Sequence, residues 1–354
     1  LGYSLKLANV SCFLIKLEKE SDLKTPNSSP FSYLAKLALI SFVKSNIQAF
    51  IDSMKLNLPL LLILALFWTG CVQENRYDSL QGKTLADLQE IHPFQDNETT
   101  KLGIAFGGGG MRGFVHLGVI QALEEAGIRA EIVTGTSAGA IAAVFYASSL
   151  PLQQIHEEMI KLERWDVADP VISLNGLMQG RKLASWINQI LGNKLLSELP
   201  KKVGVTVTEL VGSQLLLVVE GKAGEAVQAS SSIPGTFVPV KVGQEVWVDG
   251  GVLSVVPVRF ARALGASHVL AIDTFCGRGY PVSENAFWTT TQAFRLQMCN
   301  GNKTELEEAD WLLQPDFEPK DFLSFAEREV AIQASYEAMK ALLPTLKSEL
   351  VGGY

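Results

Sequence analysis

Histidine is scarce in this chain, with four in 354 residues. A Ser-His-Asp hydrolase needs one of them at its site, and their places do not suit. His92 and His116 precede the serine motif described below, and His156 falls in a helical stretch. His268 stands before the strand-like run Val269–Ile272, away from the C-terminal strand ends where open α/β sheets gather function. Cysteine is limited to positions 12, 71, 276 and 299, and no His/Cys/Asp cluster shows metal-ligand spacing, so neither metal nor cofactor is expected. Positive charge is not in excess. The first 70 residues hold seven Lys, no Arg and four acids, a net of +3, so the rest of a chain of net charge −7 carries −10. That excludes a basic patch for nucleic acid. No internal repeat or low-complexity block is visible.

What the chain has is Gly135-Thr136-Ser137-Ala138-Gly139. The pentapeptide follows a β-like run, Ala130–Thr134, and opens into an apolar helix-like run, Ala140–Tyr146. A serine at such a junction, with glycine two places away on each side, has the pattern of a nucleophile elbow. A sharp strand-to-helix turn strains the backbone, and Gly135 and Gly139 let it bend without clashes. The helix dipole then favours negative charge developing near the hydroxyl. The plainer reading is a serine acting as an N-cap.

A glycine-rich segment lies upstream. The strand-like Leu102–Phe106 leads into Gly107-Gly108-Gly109-Gly110-Met111-Arg112-Gly113. Val115, Val119, Ala122, Leu123 and Ala126 then recur at helical spacing, with Gly127 as the stop. The order strand, glycine turn, helix, strand, serine turn, helix predicts parallel strands and a right-handed crossover. Gly108, Gly110 and Gly113 also fit G-x-G-x-x-G, but a dinucleotide site needs an acid at the end of the second strand, and none stands there. No Gly-Lys-Ser/Thr follows for a phosphate loop either, so no nucleotide is expected. The segment reads as an oxyanion hole: consecutive glycines let several N–H groups point one way, and Arg112 adds positive charge. It also reads as a tight turn that lets a helix approach the sheet, and both can hold at once.

Asp249-Gly250-Gly251 follows the strand-like Gln244–Val248. Its carboxylate can share a sheet edge with Ser137 while the two glycines turn the chain away; an ordinary Asp-Gly turn is the alternative. Asp273, at the end of Val269–Ile272, is the rival carboxylate. The order Ser137, Asp249, His268 matches the α/β-hydrolase triad, but the place of His268 leaves a Ser–Asp dyad as the better reading.

Together these motifs resemble the patatin-like phospholipase family. Its G-x-G-x-x-G, G-x-S-x-G and D-G-[GA] signatures match Gly108–Gly113, Gly135–Gly139 and Asp249–Gly251 in the family's order. Ala229–Pro239 is similar to the family's A-S-x-A-x-P-x-x-F-x-P but has Ser232 where alanine is usual, and the family's A-T-D-L appears as Val207-Thr208-Glu209-Leu210. The resemblance covers residues 101–275 closely. It implies a three-layer α/β sandwich with a mostly parallel sheet, and hydrolysis of acyl esters in phospholipid or lysophospholipid. Asp249 would deprotonate Ser137, the loop of Gly108, Gly109, Gly110, Met111, Arg112 and Gly113 would hold the oxyanion, and an acyl-Ser137 would form. A lipid-binding or scaffolding lipoprotein with an inactive site is the alternative.

Met54-Lys55, the apolar run Leu58–Trp68 and Gly70-Cys71 suggest a signal peptide over 54–70 and lipidation at Cys71. The run is 11 residues, too short to span a bilayer. Trp68 departs from the leucine usual at that place in a lipobox, and an uncleaved anchor or hydrophobic helix is the other reading. Residues 1–53 would be upstream sequence or a true extension, 71–100 a polar tether, and 101–354 the hydrolase domain. An acidic domain is repelled by anionic lipid, so an anchor would hold it at the membrane of a bacterial envelope, facing the periplasm. Cys276 and Cys299 are then either a disulfide or two buried thiols. Leu183, Trp186, Ile187, Ile190 and Leu191 predict an amphipathic helix, packing on the core or capping the site with Trp165 and Trp186 facing lipid. A last helix is expected from about Phe322 to Leu343, with Pro344 near its end.

Overall fold

The strand Leu102–Phe106 is buried at every position, as a parallel strand covered on both faces must be. It belongs to a computed structural model of the chain, which describes residues 74–91, 101–277, 286–319 and 325–351. One unit holds residues 74–170 and 175–354; of the other, residues 1–73 with 171–174, the described part is Val171–Leu174. The expectations for residues 1–73, including the signal peptide and Cys71, lie outside the described residues.

The strands are β1 (Asn75–Arg76), β2 (Gln81–Lys83), β3 (Leu102–Phe106), β4 (Ile132–Gly135), β5 (Lys202–Glu209), β6 (Gln214–Glu220), β7 (Val240–Val242), β8 (Glu245–Asp249), β9 (His268–Ile272) and β10 (Trp311–Leu313). The helices are α1 (Leu85–Ile91), α2 (Val115–Glu125), α3 (Ala138–Ser148), α4 (Leu152–Lys161), α5 (Arg164–Val167), α6 (Arg181–Ile190), α7 (Ala223–Ser230), α8 (Val258–Ala263), α9 (Ala286–Leu306) and α10 (Arg328–Val351). They form one mixed sheet in the order β1-β7-β8-β5-β4-β3-β9-β10, with β6 bonded to β5 and β2. The central run β5-β4-β3-β9-β10 is parallel.

Strand alternation separates two apolar layers. Ile104, Phe106, Val133, Leu270 and Ile272 face the side covered by Val119 and Leu123 of α2, Val144 of α3, and Ile332 and Met339 of α10. Ala105, Ile132, Val269 and Ala271 face the other, where Phe260 and Ala261 of α8 lie. This is the expected three-layer α/β sandwich. Each fully buried Val, Leu, Ile or Phe contributes on the order of 1.5–3 kcal/mol, and β3, β4 and β9, which carry no Asp, Glu, Lys or Arg, lie inside the sheet.

One feature of β5 positions the site. β6 pairs with β5 over Val205–Glu209 along one edge. A strand residue bonds one neighbour per edge, so the other edge must hold both β4, over Lys202–Val205, and β8, over Val207–Glu209. β4 runs parallel to β5 and β8 antiparallel, so their C-terminal ends meet head to head.

Two expectations change. Residues 74–91, read as part of a tether, contain β1 and β2, which pair with β7 and β6, and α1, which buries Leu88. These strands are two and three residues long and polar, so they give no apolar pattern. The last helix runs on past Pro344, which lies inside it. Leu346 is buried and Trp311 Nε1 donates to Glu349 at 2.6 Å, which holds the turns beyond the missing N–H. Of the two readings of α6, core packing holds: Leu183 and Ile187 are buried and Trp186 meets Phe145 edge-on at 5.4 Å, while Trp165 of α5 is 61% exposed.

Candidate active site

Ser137 sits at the end of β4 with φ 54° and ψ −121°. A non-glycine residue in that region carries strain of order 1–3 kcal/mol. The surroundings enforce it. A side chain on Gly135 would overlap the Gly139 carbonyl, and one on Gly139 would overlap the Phe106 carbonyl. The Ser137 side chain makes no helix-capping bond, so the N-cap reading does not describe it. Its N–H donates to Ser230 Oγ at 2.9 Å. Thr136 is pinned to Thr206 Oγ1 at 2.6 Å and to the Ser254 carbonyl at 3.1 Å.

Asp249 ends β8 and is 5% exposed, beside Ser137 at 6%. Its Oδ1 accepts from the Gly251 N–H at 2.7 Å, and its own N–H donates to the Ser232 carbonyl at 3.0 Å. Burial pushes its carboxyl up from 3.8 to about 6, against hydrogen bonds from the Ser137 hydroxyl and the Gly251 N–H. Gly250 is packed so closely on Thr206 that a side chain would overlap it, and a Cβ on Gly251 would lie 3.0 Å from Met298 Cε. The structure thus brings Ser137 and Asp249 together.

The glycine loop lies across the elbow. A Cβ on Gly108 would be 3.4 Å from Ser137 Cβ, and one on Gly113 2.8 Å from Ala138 Cβ. Gly107 and Gly108 spend their N–H groups on the Ile272 and Val255 carbonyls, both at 2.9 Å. A 3-10 turn spans Gly110–Phe114, and Arg112 N–H donates to the Gly109 carbonyl at 3.2 Å. The N–H groups of Gly109, Gly110 and Met111 precede that first bond, and no backbone bond among the described residues uses them. Gly110 takes φ 58°. The oxyanion reading therefore narrows to residues 109–111, and Gly108 serves as an anchor.

Arg112 also has a different role from the expected one. It is fully buried, pairs with Glu318 through Nη2 and through Nε at 3.3 Å, and donates from Nη1 to the Gly109 carbonyl at 3.4 Å. Its charge is balanced by Glu318, and its geometry braces the loop. Asp273 is committed elsewhere: Oδ1 accepts from the Phe275 and Cys276 N–H groups at 2.9 Å and Oδ2 from Gln314 at 2.8 Å. His268 stacks on Trp311 at 5.8 Å at the start of β9, the far end of the strand from Ile272, which pairs with Phe106.

Sequence reasoning missed two supports. Ser230 holds the Ser137 amide while the Ser232 carbonyl holds the Asp249 amide, so one segment, recognisable in the A-S-x-A-x-P run, touches both residues. Helix α9 braces the turn after Asp249: Asn302 Oδ1 accepts from the Val256 N–H at 2.7 Å, and Ser254 Oγ donates to Glu305 at 2.8 Å. A disulfide, Cys276–Cys299, ties the same helix to the loop after β9 and resolves the cysteine alternatives.

Residues 104–262 match the family described as patatin-like phospholipase. An uncharacterized NTE family protein of Mycobacterium bovis is 29% identical over 68% of this chain and 46% of its own length. The neuropathy target esterase of Drosophila melanogaster is 28% identical over 49% of this chain and 13% of its own. A lysophospholipase of Yarrowia lipolytica is 29% identical over 49% and 12%. This chain thus spans less than half the length of these curated relatives. Among solved structures, VipD from Legionella pneumophila is 15% identical with a TM-score of 0.42, over 78% of this chain and 72% of that one. The strained serine, the D-G-G turn meeting it and the glycine loop across both are the family's motifs in its order, and residues 104–262, which hold all three, match the patatin-like phospholipase family.

Proposed function

We propose that this protein hydrolyses carboxylic esters of lipids, as a phospholipase A or lysophospholipase, through Ser137 and Asp249. The observation that carries the reading is the buried Ser137 hydroxyl held against the Asp249 carboxylate beside three unspent N–H groups. The Asp249 carboxylate takes the hydroxyl proton as Ser137 Oγ adds to the ester carbonyl carbon. The oxyanion is met by the N–H groups of Gly109, Gly110 and Met111. The C–O bond then breaks, the leaving alcohol takes the proton from Asp249, and acyl-Ser137 remains. Water repeats the sequence and releases the fatty acid, restoring both groups. A carboxyl raised to about 6 is a better base than an ordinary aspartate and is still ionised at neutral pH. No cofactor takes part in these steps. Labelling with a serine-reactive fluorophosphonate tests the reading: label on Ser137, absent from Ser137→Ala, supports it, and an unlabelled native protein points to an inactive lipid-binding role.

We also propose a lipid anchor at Cys71 in a bacterial envelope. Support comes from Met54-Lys55, the apolar run and Gly70-Cys71 ahead of an acidic domain. Tethering would raise the effective concentration of the enzyme at its substrate surface. Intact mass of membrane-extracted protein decides it: a lipidated N-terminus at Cys71, lost in Cys71→Ser, is expected, and a mature N-terminus elsewhere refutes it.

A further inference from the structure

Beneath the glycine loop lies a histidine that these steps do not use. His116, in the first turn of α2, is 1% exposed, and its ring meets Phe106 edge-on at 5.2 Å. Its Nε2 is 2.8 Å from the Gly107 carbonyl oxygen. A carbonyl can only accept, so Nε2 carries the proton and Nδ1 the lone pair. Nδ1 has no hydrogen-bond partner. Burial keeps the ring neutral, with its pKa pushed down to about 4. A buried nitrogen left unsatisfied costs stability, which an apolar side chain of the same size would avoid. The one polar contact the residue makes is therefore the feature to explain.

That contact falls where the loop has most freedom to lose. Gly107 begins a run of four glycines, whose peptides would otherwise rotate readily. The peptide joining Gly107 to Gly108 is gripped at both ends, its oxygen by His116 and its N–H by the Val255 carbonyl at 2.9 Å. The next peptide is gripped at its oxygen, where Thr274 Oγ1 donates to the Gly108 carbonyl at 2.9 Å. The N–H of that second peptide is Gly109, the first of the three unspent donors.

We propose that His116 is a positioning residue for the oxyanion hole: its Nε2–H sets the plane of the Gly107–Gly108 peptide and thereby aims the N–H groups of residues 109–111. This rests on the reading of those groups as oxyanion donors. It does not make His116 a base, since a carbonyl and the core surround its ring.

The test compares His116→Phe, which keeps the shape without the donor, with His116→Gln, whose amide nitrogen can reach the same place. His116→Met is a second variant without a donor, should the phenylalanine variant fail to fold. On a soluble ester, the variants without a donor should lose roughly 10- to 100-fold in kcat with KM nearly unchanged, less than the loss from deleting an oxyanion donor outright. His116→Gln should recover most of it. The unpaired Gly107 carbonyl that they leave offsets the unpaired Nδ1 that they remove, so their melting temperatures should stay near that of the native protein, and the loss of kcat should not follow stability. Amide hydrogen exchange at Gly108–Gly110 should quicken in His116→Phe and return in His116→Gln, and it can be read in the Ser137→Ala background without any activity. Native kcat in the variants without a donor, or equal loss in the glutamine and phenylalanine variants, overturns the proposal. If the native protein has no esterase activity, the proposed function falls on its own, and unchanged exchange in His116→Phe is then the result that overturns the role of His116.

Discussion

Gly135 and Asp249 occupy the same edge of β5, opposite Val205 and Val207, at the ends of strands that run toward each other. The turn that carries Ser137 and the Asp249 carboxylate therefore meet through the sheet itself. Asp249 is buried there and its carboxyl is raised to about 6. If it is the base, kcat/KM must rise with pH through about 6 as the carboxyl ionises. A pH–rate profile checks this, and His268→Ala should leave its position unchanged. A rising limb near 4, or one that moves with His268, would remove Asp249 from this role.

The same burial has a consequence for stability. The folded protein holds the Asp249 proton more tightly than an unfolded chain with the ordinary value of 3.8. This contribution to stability is present below about 4 and is lost as pH rises through about 6. The loss is roughly 3 kcal/mol, at about 1.4 kcal/mol per pKa unit. Asp249→Asn should therefore be more stable than the native protein at pH 8, by up to that amount, and the gap should close toward pH 4. Urea unfolding at both pH values measures it. A variant less stable at pH 8 would contradict the sign.

The glycine loop should respond in turnover. Gly109 lies against Thr274, and a methyl group there would overlap the hydroxyl that holds the Gly108 carbonyl. Gly109→Ala should lower kcat by at least tenfold and change KM little, since its N–H matters most when the oxyanion forms. A rise in KM with native kcat would mean that the loop binds substrate and does not stabilise the transition state.

The local motifs were legible because each is a covalent neighbourhood. Glycine spacing around Ser137, the run from Gly107 to Gly110 and the D-G-G turn follow from what a backbone needs to bend. The central strands were legible from unbroken apolar runs. What was not legible is non-local. That β8 is antiparallel and shares an edge with β4 depends on pairing, which no short window records. Helix α9 escaped because its inward face is polar: Arg295, Asn302 and Glu305 are buried through specific bonds, which defeats apolar periodicity. Gly108 and Arg112 were assigned to the oxyanion by type, but the first spends its N–H on Val255 and the second its charge on Glu318.

The disulfide gives a further expectation. Cys276 and Cys299 are 23 residues apart, and closing a loop of that size stabilises by roughly 3 kcal/mol in the chain-entropy model. Cys299→Ser should lower the melting temperature by several degrees under oxidising conditions and make it insensitive to reductant. The native protein should fall to the same value when reduced. Equal melting temperatures for native and variant proteins without reductant would show that the bond does not form.

The central claim is that Ser137 and Asp249 together perform ester hydrolysis on lipid. Its most direct measurement is fatty acid release from phospholipid and lysophospholipid vesicles by the native protein, Ser137→Ala and Asp249→Asn. Mass spectrometry of the rapidly quenched reaction reads the acyl group on the chain. The account predicts release by the native protein with an acyl group on Ser137, none from Ser137→Ala, and at most a trace from Asp249→Asn, all three remaining folded. Native-like release from either variant, or an acyl group carried by a different residue, would contradict it.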